Sequence, residues 1–354
     1  TTGGLGPTYD DLTKQTICAA FGQKLVLHED ILEDIRAFYQ SVLHVPMPEN
    51  NTQQAELPEG CTVFDNPVGT APGCAFEADG VHVLMLPGPP HECETMLRRC
   101  VEPYLRALSK EVIVSHDIMT FGMGESSVDQ LLHDRMVRMV NPTLATYAKP
   151  CEVRLRATAK AAGAEEAEAM LAPVVAEVRA ALGDYVYGVD VKGLEAVCFQ
   201  LLKVRNLTLS TAESCTGGLI AKRLTDVSGA SQVFRGGVVS YTNEVKHGVL
   251  GVPQALLEQY GAVSEPVARA MAEGARRALG CDLALSSTGV AGPDRDDRGN
   301  EVGTMFVAIA APDGTHVRPL RLGGRPVRDR LRTQTAHHAL DLARRWLSGL
   351  PLED

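Results

Sequence analysis

A hydroxyl followed closely by paired glycines stands at Ser214-Cys215-Thr216-Gly217-Gly218, between a β-prone run at 207–210 and helical spacing over 219–224. A strand-to-helix junction presents unpaired backbone N–H groups and a partial positive charge, which suits an anion or a developing oxyanion. A simple N-cap and tight turn would use the same residue types. A serine hydroxyl is a poor nucleophile unless a base stands beside it. Tyr241-x-Asn243-x-x-Lys246 offers a lysine whose pKa burial could lower, and a phenol between the two could relay the proton. Ser–Lys pairs are a known variant of the nucleophile–base arrangement. A second Gly-rich stretch, Thr288-Gly289-Val290-Ala291-Gly292, adds donors, and Arg328 and Arg332 share a helix face at i, i+4, where guanidinium groups can grip phosphate. Cys215 is a second-choice nucleophile, lacking an evident His partner.

The front of the chain carries a separate set. Gly3, Gly4 and Gly6 offer backbone donors to a nucleotide phosphate, Thr8 follows them, and Asp11 leaves room for a divalent metal. A turn before an acidic helix start reads equally well from these residues. Asp294, Asp296 and Asp297 lack the closing Glu of a calcium loop and read as polar loop. His337 and His338 are adjacent on a helix, face different ways, and make a poor metal pair.

The positioning elements follow from pattern. With 354 residues, 45% hydrophobic and 22% charged, the chain reads as two or three globular domains of mixed α/β class. Residues 1–105 read as α/β: a helix through 17–21 capped by Asp10 or Asp11, a helix over 31–43, and strands at 61–64 and 81–86. Gly/Pro loops close the strand ends, where open sheets bind ligands. Residues 106–190 read as a second unit, with strands at 112–114 and 118–121, a helix over 126–139, an alternating strand at 152–159, and an amphipathic helix over 164–182 stopped by Gly183. A linker at 189–193 leads to residues 194–350. There the pattern predicts helices at 194–203, 219–224, 253–260, 266–279 and 327–347. Strands are predicted at 207–210, through Val238, Val239 and Tyr241, at 283–287 and at 303–310.

Taken together, these motifs resemble the CinA family (competence/damage-inducible protein A). The front match rests on Thr1 to Thr8 with Asp11, on 66–73, and on Leu86-Pro87-Gly88. The back match rests on Ala212 to Gly218, Tyr241-x-Asn243-x-x-Lys246, Gly261-Ala262-Val263-Ser264, Thr288 to Asp294 and Val302-Gly303-Thr304. The resemblance implies three domains: a molybdopterin-binding-like α/β domain lacking its first elements, a small KH-like α+β domain, and a C-terminal α/β/α sandwich. The chain opens directly on its glycine loop, so it is expected to begin partway through a domain. The resemblance further implies nicotinamide-mononucleotide deamidation. Ser214 would be nucleophile, Lys246 base and Tyr241 its partner. Thr216, Gly217, Gly218, Asn243, Thr288, Gly289, Gly292, Arg328 and Arg332 would contact substrate. The Arg-x-x-Leu-Arg pattern is kept, but the loop at 323–326 before it is longer than the family leads one to expect.

Two alternatives stand beside that expectation: a metal-dependent ADP-ribose pyrophosphatase in the front domain, and a non-enzymatic binding protein linked to competence or DNA damage. No cofactor is expected for the deamidase. A formal charge of -10 argues against direct nucleic-acid binding. In the middle unit acidic residues outnumber basic ones, 12 to 9, without a basic Gly-x-x-Gly loop, so a structural spacer is expected there. No apolar run is long enough to span a bilayer. Nine scattered cysteines without a CxxC pair favour a reducing cytoplasm, and a homodimer is expected.

Overall fold

The computed structural model describes residues 1–323 and 327–352. They form two compact units, one of Thr1–Val112 and one from Ile113 onward. The expected long loop at 323–326 lies mostly outside the described residues.

In the first unit the elements are α1 (Thr13–Ala20), β1 (Leu25–Leu27), α2 (Glu29–Phe38), β2 (Glu56–Pro58), β3 (Thr62–Phe64), β4 (Gly73–Ala78), β5 (Val81–Met85), α3 (Pro90–Met96) and α4 (Glu102–Leu108). Strands β3, β4 and β5 form an antiparallel sheet, and β1 pairs with β2. Thr2 bridges Leu86 in parallel just beyond β5. The core gathers Leu5, Leu57, Cys74, Phe76 and Met85 on one side and Phe64, Leu86 and Met96 on another. The expected aspartate cap of α1 is not made. Its N-cap is Leu12, without a side-chain bond, because the Asp11 carboxylate accepts from the Thr8 N–H (2.9 Å) and hydroxyl instead. The Thr8 hydroxyl lowers the pKa of that carboxylate.

The second unit begins with a four-stranded sheet in the order β7-β8-β6-β9, built from β6 (Val112–Phe121), α5 (Glu125–Arg138), β7 (Thr143–Lys149), β8 (Glu152–Ala161), α6 (Ala164–Leu182) and β9 (Val186–Val189). The two strands expected at 112–121 are one continuous strand. Val153, Leu155, Ala157, Ala159 and Ala161 alternate inward on β8, as the period-2 pattern predicts. They meet the stripe Ala167, Leu171, Val174, Val178 and Leu182 of α6.

Residues beyond the linker add α7 (Leu194–Arg205), β10 (Leu209–Glu213), α8 (Leu219–Thr225), β11 (Phe234–Val239), α9 (Asn243–Gly248), α10 (Gln254–Tyr260), α11 (Glu265–Leu279), β12 (Leu283–Gly289), β13 (Thr304–Ala311), β14 (Gly314–Arg321) and α12 (Arg328–Ser348). The sheet order is β11-β10-β12-β13-β14; β11, β10 and β12 run parallel, while β13 and β14 are antiparallel additions. Both faces are covered, which makes an α/β/α sandwich. On β13, Met305, Val307 and Ile309 join the large core with α7 and α12, while Ala308 and Ala310 meet Ala268 and Ala272 of α11. Strand β10 is buried along its whole length. Parallel central strands covered twice lose the polar–apolar alternation that marks a half-exposed strand.

Two contacts help fix α12. Its His337 stands 3.6 Å from Glu152 of β8, which also accepts from the Tyr187 hydroxyl (2.8 Å), and Phe121 stacks on the imidazole. Near its other end Trp346 packs against the core and donates to Asp313 (3.0 Å).

Helix α11 approaches the backbone of Leu250 at Gly274, where a Cβ would run into the Leu250 carbonyl oxygen. Gly274→Ala gains about 1 kcal/mol of helix propensity. The collision costs about 1–3 kcal/mol, because a carbonyl cannot rotate away as a side chain can. A melting temperature lowered by up to a few degrees is expected, measured by circular dichroism; a raised value would contradict this packing.

Candidate active site

Strand β10 delivers Ser214 one residue past its end. The Ser214 N–H donates to the Ser287 carbonyl of neighbouring β12 (2.9 Å), so the residue stays anchored to the sheet as the chain turns. Gly217 (φ 60°) and Gly218 (φ 94°) adopt the left-handed conformation that side chains resist, and α8 starts directly after them. The Gly217 N–H closes the turn onto the Ser214 carbonyl (3.1 Å). Ser214 itself is half-buried.

Lys246 reaches this hydroxyl. Its Nζ lies 3.1 Å from Ser214 Oγ, 3.0 Å from the Ser240 carbonyl and 3.4 Å from the Tyr241 carbonyl. The side chain is 1% exposed, and among the described residues it forms no ion pair. Burial pushes its pKa down, opposed in part by Cys215 and Glu244. A neutral amine has two N–H groups and one lone pair. When the amine is protonated it donates to Ser214 Oγ; when it is deprotonated, the two carbonyls can take both N–H groups and leave the lone pair facing the serine hydroxyl. That is the geometry a general base needs.

Two expectations about this segment are corrected. Strand β11 stops at Val239, so Tyr241 lies in the following connection and Lys246 on a short helix, α9, rather than at a strand exit. Nor does the Tyr241 phenol stand between serine and lysine. The pair touches directly, and only the Tyr241 backbone carbonyl meets Lys246. The phenol accepts from Arg328 Nη2 (2.8 Å), at a position 58% exposed.

The arginines share one face of α12 as their spacing predicts, but that face meets protein carbonyls. Arg328 Nη1 donates to Gly292 (2.7 Å). Arg332 donates to the carbonyls of Cys215 (3.2 Å) and Thr216 (2.9 Å), so it braces the serine turn. Thr288 uses its hydroxyl on the Ala262 carbonyl (2.7 Å). Gly289 lies where any Cβ would strike Met305 and the Thr304 carbonyl, and Gly292 has φ 83°. Asn243 is exposed in the first turn of α9. Cys215 is buried, and burial pushes its thiol up to about 12, which disfavours the thiolate a cysteine nucleophile would need.

Three residues that hold the site were missed by the sequence reading: Glu213, Ser240 and Ser287. The available signal was Glu213 itself, a carboxylate ending a strand otherwise made of apolar and small residues.

Residues 191–347 match the family model described as CinA C-terminal domain, 115–188 match the damage-inducible protein CinA KH domain, and 1–107 match the "Probable molybdopterin binding domain". A CinA-like protein of Desulfovibrio desulfuricans is 47% identical over 355 residues, spanning 100% of this chain and 83% of that protein. The chain belongs to the CinA family. A CinA-like protein of Kosmotoga olearia is 44% identical, over 99% of this chain and 84% of its own length. The crystal structure of competence/damage inducible protein CihA from Agrobacterium tumefaciens is 37% identical over 42% of this chain and 90% of that chain, with a TM-score of 0.41.

The front unit of this CinA chain brings its own glycines together. Gly3 (φ 91°) donates to the Leu86 carbonyl (2.8 Å), and Gly4 has φ 70°. Gly4, Gly6, Asp11, Gly88 and Glu92 line a cleft of about 240 Å³. Its two acidic groups, Asp11 and Glu92, would hold a divalent ion only together with oxygens from water or a substrate phosphate. In this structure one Asp11 oxygen accepts from Thr8 and one Glu92 oxygen from Asn66. Among the described residues, no cluster of three or more His, Cys, Asp and Glu side chains is arranged to hold a metal. No helix among those residues is long and apolar enough to cross a membrane, and all nine cysteines are free.

Proposed function

We propose that the C-terminal unit hydrolyses the carboxamide of nicotinamide mononucleotide, giving nicotinate mononucleotide and ammonia. The observation that carries this reading is the buried Lys246 amine in direct contact with Ser214 Oγ, its other hydrogens held by carbonyls. Lys246 takes the hydroxyl proton as Ser214 Oγ attacks the carboxamide carbon. The tetrahedral intermediate expels ammonia, which leaves with that proton and frees the amine again. Water then attacks the ester on Ser214, with Lys246 once more as base, and releases the carboxylate.

The exposed Arg328 guanidinium is the group best placed to meet the substrate phosphate, which as an anionic acceptor would displace the neutral Tyr241 phenol. Arg332 already holds two carbonyls and serves the turn instead. The test is ammonia release from nicotinamide mononucleotide with and without EDTA, beside ADP-ribose cleavage under the same conditions. Release that persists in EDTA is expected. A folded sample that releases no ammonia but cleaves ADP-ribose until chelated would move the activity to the front unit and end this reading.

A further inference from the structure

Glu213 is 1% exposed and among the described residues forms no ion pair. A carboxylate so far from water is costly unless hydrogen bonds hold its charge. Here Oε1 accepts from the Ala221 N–H (2.8 Å), and Oε2 accepts from the Ile220 N–H (3.0 Å) and the Thr216 hydroxyl (2.7 Å). Thr216 has one hydroxyl hydrogen and gives it to Glu213. The 2.6 Å contact between Thr216 and Ser287 therefore runs from the Ser287 hydroxyl to Thr216 Oγ1. Ser287 in turn holds the Ser214 N–H through its carbonyl.

The backbone of the same residue serves the other partner. The Glu213 carbonyl accepts from the Ser240 N–H (2.8 Å), and the Ser240 carbonyl accepts from Lys246 (3.0 Å). One residue thus fixes the serine turn through its side chain and the lysine cradle through its main chain. It also occupies two free N–H groups of the first turn of α8, so those donors are spent on the protein and not on substrate.

We propose that Glu213 is the positioning residue that sets the distance between Ser214 and Lys246, an inference that rests on the Ser–Lys reading above. Its side chain can be altered while the lysine cradle, which uses only its carbonyl, stays in place. In Glu213→Gln the amide keeps one acceptor oxygen and turns a donor toward an N–H, so the turn 214–221 loosens. A displacement of about 1 Å in a reacting group costs on the order of a hundredfold in rate. We expect kcat for ammonia release, per folded molecule, to fall about thirtyfold to a hundredfold by that rule, with KM nearly unchanged. The pH at which activity rises should not move, because the burial of Lys246 and the two main-chain carbonyls that hold it are untouched. Ser287→Ala, a milder change, should lower kcat in the same direction and covers the case in which Glu213→Gln folds poorly.

Two substrate-independent readings accompany the kinetics: the rate at which a fluorophosphonate labels Ser214, and amide hydrogen exchange across 214–221. Slower labelling and faster exchange in the variants support the proposal. Wild-type kcat per folded molecule, with labelling unchanged, overturns it and leaves Glu213 as a helix cap alone. If the unaltered protein neither labels nor releases ammonia, the Ser–Lys reading falls. The exchange data then decide separately whether Glu213 holds the turn, unchanged exchange overturning that as well.

Discussion

Ser214→Ala should lower ammonia release by about ten-thousand-fold or more, the scale seen when an enzyme loses its nucleophile. The fold should survive. The hydroxyl is bonded to Lys246, while the turn is held by the main chain, by Arg332 and by Glu213, none of which the substitution touches. Melting temperature and circular dichroism should therefore match the parent. Stopped assays with nicotinamide mononucleotide would show the loss. Activity within about tenfold of the parent, from a sample free of parent protein, would remove Ser214 from the chemistry, because no water positioned by Lys246 alone matches an attached nucleophile.

Lys246→Met should cost about a thousandfold, within the range that a positioned base contributes. Methionine roughly fills the volume, so the loss measures the amine rather than a cavity. The parent's own pH dependence provides a second measurement. Burial holds the folded-state pKa below the ordinary 10.5, and the reaction needs the neutral amine. Activity should rise with pH through that lowered pKa and level off above it.

Stability gives the opposite view of the same group. Between the folded and unfolded pKa values the unfolded chain binds more protons at Lys246, so this residue's contribution to stability rises with pH across that window. Below the window the buried lysine is a standing cost. Lys246→Met should therefore melt higher than the parent at neutral pH while being nearly inactive. A variant that is both less stable and equally active would mean that Lys246 is a structural ion with no part in the reaction.

The sequence made some of this legible and hid the rest for physical reasons. Strand β8 and helix α6 were readable because each buries one face, so composition alternates with the right period. The junction at Ser214 was readable because two glycines in left-handed conformation leave a mark that few other contexts produce. Strand β14 was not seen: it is an edge strand carrying Pro319 and two arginines, and an edge tolerates a residue with no N–H to donate. Helix α9 was hidden because six residues are too few to display a helical period. The carbonyl contacts of Arg332 were hidden for another reason. Spacing on α12 gives the face correctly, but which acceptors meet that face depends on a turn more than a hundred residues earlier in the chain.

Trp346 is the only tryptophan in the chain, and it sits on the helix whose opposite end braces the serine turn. Indole emission is thus a reporter for the second unit alone, and the first unit unfolds without that signal. Comparing emission with far-ultraviolet dichroism, which sees both units, separates their transitions without labels. It also shows whether a substitution near Ser214 is felt along the length of α12.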